Sequence, residues 1–433
     1  MAATGRPYEV MNMLEKNTQI ELNIHAISTE GLGIGRFGDF VVFVDGAIPG
    51  DVVTARITRP KSRFAVAALE AVIQPSASRI TPPCPVAAHC GGCGWQHIDY
   101  QTQLSLKKQI VTDTLTRIGG VANPPVADVA GMANPWEYRN KAVFHVDSNG
   151  KVGVYAPRSR RVVEISSCGI VHQAHRAALS AVKASKHQSL IRDVMFRAGD
   201  DSNMVALTTH DPLSKADYAN LTADFADCCD TLVINGKTAL GGGFVTITLS
   251  GITYKLSAAS FFQVNTAQAQ VLYDTALSQI PAAKTETIID AHCGVGSIAL
   301  YAASRAANVI GVDIEPAAIA DATYNAEFNK IRNARFICGT AEKELPKLLA
   351  TPQNAVIFLD PPRKGCDKSL LETLIADASR NGLQRIVYIS CDPATLARDV
   401  KILTQGGFHL ADVRPVDMFP HTSEIEVSCL LVR

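Results

Sequence analysis

The feature that most constrains this 433-residue chain is a strand–turn–helix rhythm that starts near residue 285. "TIIDAHCGVG" leads to the helical pattern "SIALYAASRAA", "NVIGVDIEP" to "AAIADATYNAEFNK", and "ARFICGTAE" to "KELPKLLA". "NAVIFLDPP" then leads to "SLLETLIADASR", and "RIVYISCDP" follows. Short apolar runs alternating with helical periodicity predict a doubly wound α/β domain with a mainly parallel sheet. Ligands of such sheets sit beyond the carboxyl ends of the strands. The residues to watch are therefore Asp290 to Gly296, Asp313, Asp360 to Arg363, and Cys391.

The rest of the chain reads differently. Residues 19–74 look all-β: "QIELNIHAIS", "FVVFVDGA", "DVVTARIT" and "AVAALEAVI" are short strands, with turn signals at Gly31, Gly33 and Gly35, at Pro49-Gly50 and at Pro60. A small barrel of OB type is expected, which by itself does not fix function. "QPSASRITPPCP" is a linker that runs into Cys84, Cys90 and Cys93. "YQTQLSLKKQIVTDTLTRIGG" has helical spacing and a glycine stop. Residues 137–165 look like strands, with a hairpin signal at Asn149-Gly150. Three domains are expected, over 15–74, 75–255 and 256–433.

Charge and cysteine usage narrow the class. With 41 basic and 41 acidic residues, the global charge gives no argument for nucleic acid. Local clusters (Arg56, Arg59, Lys61 and Arg63; Arg158, Arg160 and Arg161) suit phosphate contacts or solvated loops equally. No run of ~18 apolar residues predicts a membrane helix, and "MAATGRPYEVMNMLEKNTQ" lacks the apolar stretch of a secretory signal. A cytoplasmic protein, monomeric by default, is expected. In that compartment the 11 cysteines argue against a disulfide framework. The C-x5-C-x2-C cluster with Cys168 further on suits zinc or an iron–sulfur cluster alike.

Gly294 and Gly296 let the backbone approach a ligand closely. Asp313, ending the next strand, can accept from ribose hydroxyls. With no third glycine in dinucleotide spacing and no Walker lysine, S-adenosyl-L-methionine fits better than NAD or ATP. Asp290, before the glycine turn, suits a cationic ligand. Cys391 is the open question. A lone cysteine at a strand end is most simply a small core thiol, yet here a rigid Asp392-Pro393 turn follows it.

"LDPPRKG", then "YISCDPATLARD", then "MFPHTSEIEVSCLL" resemble the RNA uracil-5 methyltransferase family, which forms 5-methyluridine. "SFFQVNTAQAQVLY" resembles the start of its catalytic domain, and "EGLGIGRFGDFVVFVDGAIPGDVV" its TRAM domain. "CPVAAHCGGCGWQHIDYQTQLSLKKQ" resembles the iron–sulfur segment of the branch acting on 23S ribosomal RNA. The resemblance spans nearly the whole chain. It implies a Rossmann-like class I methyltransferase domain behind an OB-type TRAM barrel and a central α+β iron–sulfur domain. It also implies S-adenosyl-L-methionine as methyl donor, 23S ribosomal RNA as substrate, and a [4Fe-4S] cluster, rather than zinc, on Cys84, Cys90, Cys93 and Cys168. Transfer RNA is the alternative substrate, and a non-catalytic RNA-binding or assembly factor the alternative class.

The chemistry explains the residue types. Uracil C5 is a poor nucleophile until a thiolate adds at C6. By resemblance Cys391 is that nucleophile, with a lowered pKa expected at its strand end. Glu426 is the base, chosen by register over Glu424, which alternation would put on the same strand face. Its buried carboxyl is expected to have a raised pKa. Gln263, His292, Asp313 and Asp360 match positions near the cofactor or the target base. His292 stands where an aromatic residue is usual, and Asp392 where asparagine is frequent.

Overall fold

The structure, a computed structural model, describes residues 14–280, 286–350, 354–380 and 383–433. Most of the N-terminal stretch read above for a secretory signal lies outside these. Among the described residues, no helix is long and apolar enough to cross a membrane.

Five strands, β1 (Gln19–Ile27), β2 (Gly33–Phe37), β3 (Phe40–Asp45), β4 (Val52–Pro60) and β5 (Phe64–Gln74), close a barrel in the order β1-β2-β3-β5-β4. Alternate residues such as Ile20, Leu22 and Ile24 fill its interior with Val42, Val44 and Ile57. The sequence reading made Gly33 and Gly35 turn signals, but they lie within β2. Their small size serves packing: a Cβ on Gly33 would come within 2.6 Å of the Ala47 carbonyl oxygen.

Helix α1 (Tyr100–Arg117) is capped by Asp99, whose side chain accepts from the Thr102 N–H. A seven-stranded sheet follows, from β6 (Lys141–Val146), β7 (Val152–Tyr155), β8 (Val162–Glu164), β9 (Ile191–Ala198), β10 (Asn203–Thr209), β11 (Thr231–Ile234) and β12 (Lys237–Leu240). Helices α2 (His175–Ala184) and α3 (Lys215–Phe225) pack on it through Leu179, Val182, Leu221 and Phe225. Gly150, in the β6–β7 turn, has φ +76°, the conformation the Asn-Gly pair predicts.

The hairpin β13 (Phe244–Leu249) and β14 (Ile252–Ser257) straddles the 255/256 boundary read from sequence. Its Val245, Ile247, Tyr254 and Leu256 share one core with helix α4 (Thr266–Ser278) and the last sheet. That sheet contains β15 (Thr287–Asp290), β16 (Asn308–Asp313), β17 (Ala334–Cys338), β18 (Ala355–Leu359), β19 (Arg385–Ser390), β20 (His409–Val416) and β21 (Glu426–Val432). Its order is β17-β16-β15-β18-β19-β21-β20; the first five are parallel and β21 is antiparallel to both neighbours. Helices α5 (Ser297–Ala302), α6 (Pro316–Phe328), α7 (Ala341–Leu348), α8 (Lys368–Arg380) and α9 (Pro393–Gln405) complete the doubly wound domain. Residues alternate between its two cores: Val356 and Phe358 face one, Ile357 and Leu359 the other.

Helix α1 lies far upstream in sequence, yet Val111 and Leu115 join the core between the last sheet, α8 and α9. Lys107 and Asp417 form an ion pair with neither side chain exposed. The Tyr100 hydroxyl donates to the other Asp417 oxygen at 2.7 Å, and Lys107 Nζ also donates to the Phe419 carbonyl at 3.1 Å. Breaking a buried pair leaves an uncompensated charge. Lys107→Met should therefore cost about 3–5 kcal/mol in chemical denaturation, with much of the loss recovered in Lys107→Met/Asp417→Leu.

Candidate active site

Strand β19 delivers the nucleophile candidate. Ile386 to Ile389 are fully buried, so the strand has no freedom to shift, and it ends at buried Ser390. Cys391 is half-exposed at the step into α9. Asp392 caps that helix: Oδ1 accepts from the Ala394 and Thr395 N–H groups at 2.8 and 2.9 Å. Pro393 occupies the first turn, where no N–H is needed. An aspartate serves as well as the usual asparagine here, because the cap needs only an acceptor.

The thiol differs from the sequence expectation. Burial first, then the negative charges of Glu426 and Asp360, push it up to about 11, although Arg363 pulls it down. The sequence reading put Cys391 at a strand end with partial access to solvent and expected a lowered value. The structure surrounds it with carboxyls instead, and like charges disfavour a thiolate.

Glu426 opens β21 and is buried; its Oε2 has no hydrogen-bond partner. Burial and then Asp360 raise its carboxyl well above the ordinary range. Glu424 is not its equivalent. It precedes the strand, is 39% exposed and pairs with Arg363 Nη2. Alternation therefore does not make the two glutamates alike. Asp360, just after β18, is pushed up to about 7 by burial. Its turn is braced from behind: Asp399 Oδ2 accepts from Tyr388 Oη at 2.6 Å and from the Cys366 N–H at 2.9 Å. Arg363 is the neighbour that sequence reasoning left without a role; its place in the Asp-Pro-Pro-Arg turn was the available signal.

Gly294 has φ +52°, and a Cβ there would meet nothing within 4 Å, so open space lies beside it. Gly296, with φ +81°, is hemmed by Ala322, Phe336 and Leu300. Asp313 Oδ2 accepts from the Gly294 N–H at 2.9 Å, which joins the end of β16 to this loop. His292 Nδ1 is buried without a partner, and burial lowers its pKa. Gln263 is buried just before α4, and its carbonyl accepts from Asn140 Nδ2. Phe262 is core, while Phe261 is 72% exposed. Asp290 is the acid that the sequence suited to a cationic ligand. It is fully buried, and its carboxylate accepts from the His292 and Ala299 N–H groups, holding the glycine loop closed.

Cys84, Cys90, Cys93 and Cys168 line one small pocket of about 20 Å³, walled by Val86, Val154, Ile165 and Ile170. Burial and the neighbouring thiols push Cys93 up to about 12. Among the described residues, no group of three or more His, Cys, Asp or Glu side chains is arranged to hold a metal ion. The thiols are thus gathered but not set as ligands. Four sulfurs around one apolar pocket still suit a thiolate-bound centre in donor type.

Comparison with known proteins resolves the class. Residues 243–433 match the family model for tRNA (uracil-5-)-methyltransferase, and residues 14–69 that for the TRAM domain. An uncharacterised RNA methyltransferase of Listeria innocua is 38% identical, covering 97% of this chain and 99% of its own. One from Gloeobacter violaceus is 35% identical, covering 99% of each. The chain belongs to the RNA uracil-5-methyltransferase family. The crystal structure of Pyrococcus abyssi tRNA (uracil-54, C5)-methyltransferase with S-adenosyl-L-homocysteine superposes with a TM-score of 0.76 at 25% identity. It covers 95% of this uracil-5-methyltransferase and 100% of that chain.

The buried carboxyls give this methyltransferase a pH signature. Asp290 is pushed up to about 8 by burial and then by Asp360. Both carboxyls bind protons more tightly folded than unfolded, where the ordinary value is 3.8. Their contribution to stability is therefore full below that value and lost as pH rises through about 7 to 8. The thermal midpoint of the ligand-free protein should fall across this window, and Asp290→Asn should flatten its upper part.

Proposed function

We propose that the protein methylates C5 of a uridine in 23S ribosomal RNA, with S-adenosyl-L-methionine as methyl donor. One observation carries the reading: a half-exposed thiol at the end of β19 stands within electrostatic reach of the buried, unpartnered Glu426 carboxyl and of Asp360. Cys391 is the nucleophile and Glu426 the base. The space beside Gly294 and the unpartnered His292 Nδ1 support a ligand there. Asp313, His292, Gln263 and Asp360 contact the cofactor or the target base.

The Cys391 thiolate adds to C6 of the uracil, and the ring electrons move to make C5 nucleophilic. S-adenosyl-L-methionine, when bound, supplies an electrophilic methyl group, which C5 takes. Glu426 then removes the C5 proton. The C–H electron pair becomes the C5–C6 double bond, and the C6–S bond breaks to return the thiolate. C6 is shielded in a stacked helix, so the uridine has to leave its stack. Phe261 is exposed and free to stack on a base.

The choice of ribosomal RNA rests on the cysteine segment's resemblance to the 23S branch. The Pyrococcus abyssi tRNA enzyme matches 95% of this chain, so transfer RNA is the second reading. Both are tested with 5-fluorouridine-substituted transcripts. Fluorine cannot leave as a proton, so a covalent adduct should accumulate with the true substrate and vanish in Cys391→Ala. No adduct with either RNA ends the mechanism. On ordinary RNA, Glu426→Gln should accumulate adduct while Glu424→Gln turns over. Because the free thiol titrates near 11, single-turnover adduct formation should keep rising with pH through the neutral range. A plateau at neutral pH would contradict that.

We further propose that Cys84, Cys90, Cys93 and Cys168 hold a [4Fe-4S] cluster, with zinc as the alternative. When bound, it would cross-link the 84–93 loop to the segment around Cys168. No redox step is needed. Protein purified without oxygen should contain iron and acid-labile sulfide, both lost in Cys90→Ser; zinc alone would favour the alternative.

A further inference from the structure

The segment leading to Glu426 is held from outside its own sheet. Asp417 and the Phe419 carbonyl are bound by Lys107, and the Pro420 carbonyl accepts from the Tyr138 hydroxyl at 3.1 Å. At His421 the grip is closest. Its N–H donates to Gln103 Oε1 at 2.9 Å, and its carbonyl accepts from the Trp95 N–H at 2.9 Å. Its imidazole is buried and stacks on the Trp136 ring with centroids 4.1 Å apart, and Nδ1 lies 3.4 Å from Gln103 Nε2.

His421 also has φ +68°, in the left-handed region that side chains other than glycine seldom occupy. A residue stays there only when its surroundings over-determine it. The turn it makes sends the chain toward Glu424 and Glu426. Beyond it Thr422 Oγ1 donates to the Phe419 carbonyl and accepts from the Glu424 N–H, Glu424 pairs with Arg363, and Ile425 enters the core. His421 therefore sets the direction in which the chain leaves the buried clamp, and the Arg363 pair and Ile425 carry it on into β21.

We propose that His421 is a positioning residue for proton removal: gripped by Trp95, Gln103 and Trp136, it fixes where the Glu426 carboxylate stands. This rests on Glu426 being the base. The imidazole itself touches no reacting atom. Burial pushes its pKa down to about 4, so it is neutral and acts through shape and hydrogen bonds. Loosening the clamp should leave C6 addition and methyl transfer intact, since Cys391 sits on β19 and α9. The late step, loss of the C5 proton with expulsion of the thiolate, should slow.

The test uses the full-length protein and an ordinary, unfluorinated transcript of whichever RNA forms the 5-fluorouridine adduct. Adduct formation and product release are followed separately in single turnover. His421→Ala should slow release at least about tenfold and accumulate methylated adduct, with the rate of adduct formation nearly unchanged. His421→Asn, which tolerates the left-handed backbone but cannot reproduce the ring stack, should fall between. Trp136→Leu removes the stacking partner without altering residues 417–426 and should trap adduct like His421→Ala. Equal slowing of formation and release in these variants would overturn the proposal. If Glu426→Gln traps adduct and neither His421→Ala nor Trp136→Leu does, the clamp alone is wrong. If Glu426→Gln releases product normally, the assignment of the base fails and the proposal goes with it.

Discussion

The arrangement depends on the pairing of Lys107 with Asp417 where water does not reach. Two charges buried together are no strong source of net stability, because desolvation offsets much of their attraction. What they supply is uniqueness. Lys107 has three donors, and Asp417 Oδ1 and the Phe419 carbonyl use two of them; Tyr100 satisfies the other carboxylate oxygen. Any other placement of α1 leaves a bare charge in an apolar core. The pair thus sets where an upstream helix lies against the last sheet, and the loop between β20 and β21 follows.

The site itself is built against the ease of ionisation. Asp290, Asp360 and Glu426 all have raised pKa values, and the Cys391 thiol is raised among them. Three carboxyls and a half-exposed thiol in one place cannot all be charged. A cation entering beside Gly294 would relieve that repulsion, and Arg363 does so from the solvent side. Such a setting favours a positively charged ligand over a neutral one.

The α/β rhythm was legible because parallel strands and their helices leave continuous apolar runs and glycine turns at fixed places. The barrel was legible for a similar reason, apart from β2, whose glycines serve close packing. Cys391 could be placed at a strand end from its neighbours alone. Its titration could not, since the carboxyls that surround it come from β18 and β21, remote in sequence. Nor does anything local show that the Asp290 oxygens turn to the His292 and Ala299 N–H groups. Glu424 and Glu426 looked equivalent by alternation because the first residue of β21 cannot be fixed from sequence. The meeting of Cys168 with the distant 84–93 cluster at one pocket followed from family resemblance, and its geometry did not.

The Lys107 pair has a consequence for modularity. The matched family region begins at residue 243, as though the catalytic unit were a transferable cassette. Physically it is not one. Cut free, residues 243–433 would leave Asp417 unpaired and uncover the apolar surface that Val111 and Leu115 seal. The edge of β20, which bonds to residues 127 and 130, would also lie open to other chains. The barrel has a core of its own but leans on the same stretch, Ile27 and Ile48 packing with Trp95, Ile98, Leu106 and Ile110, so the stretch from Trp95 to Tyr138 has to be inherited together with the barrel and the sheet it locks.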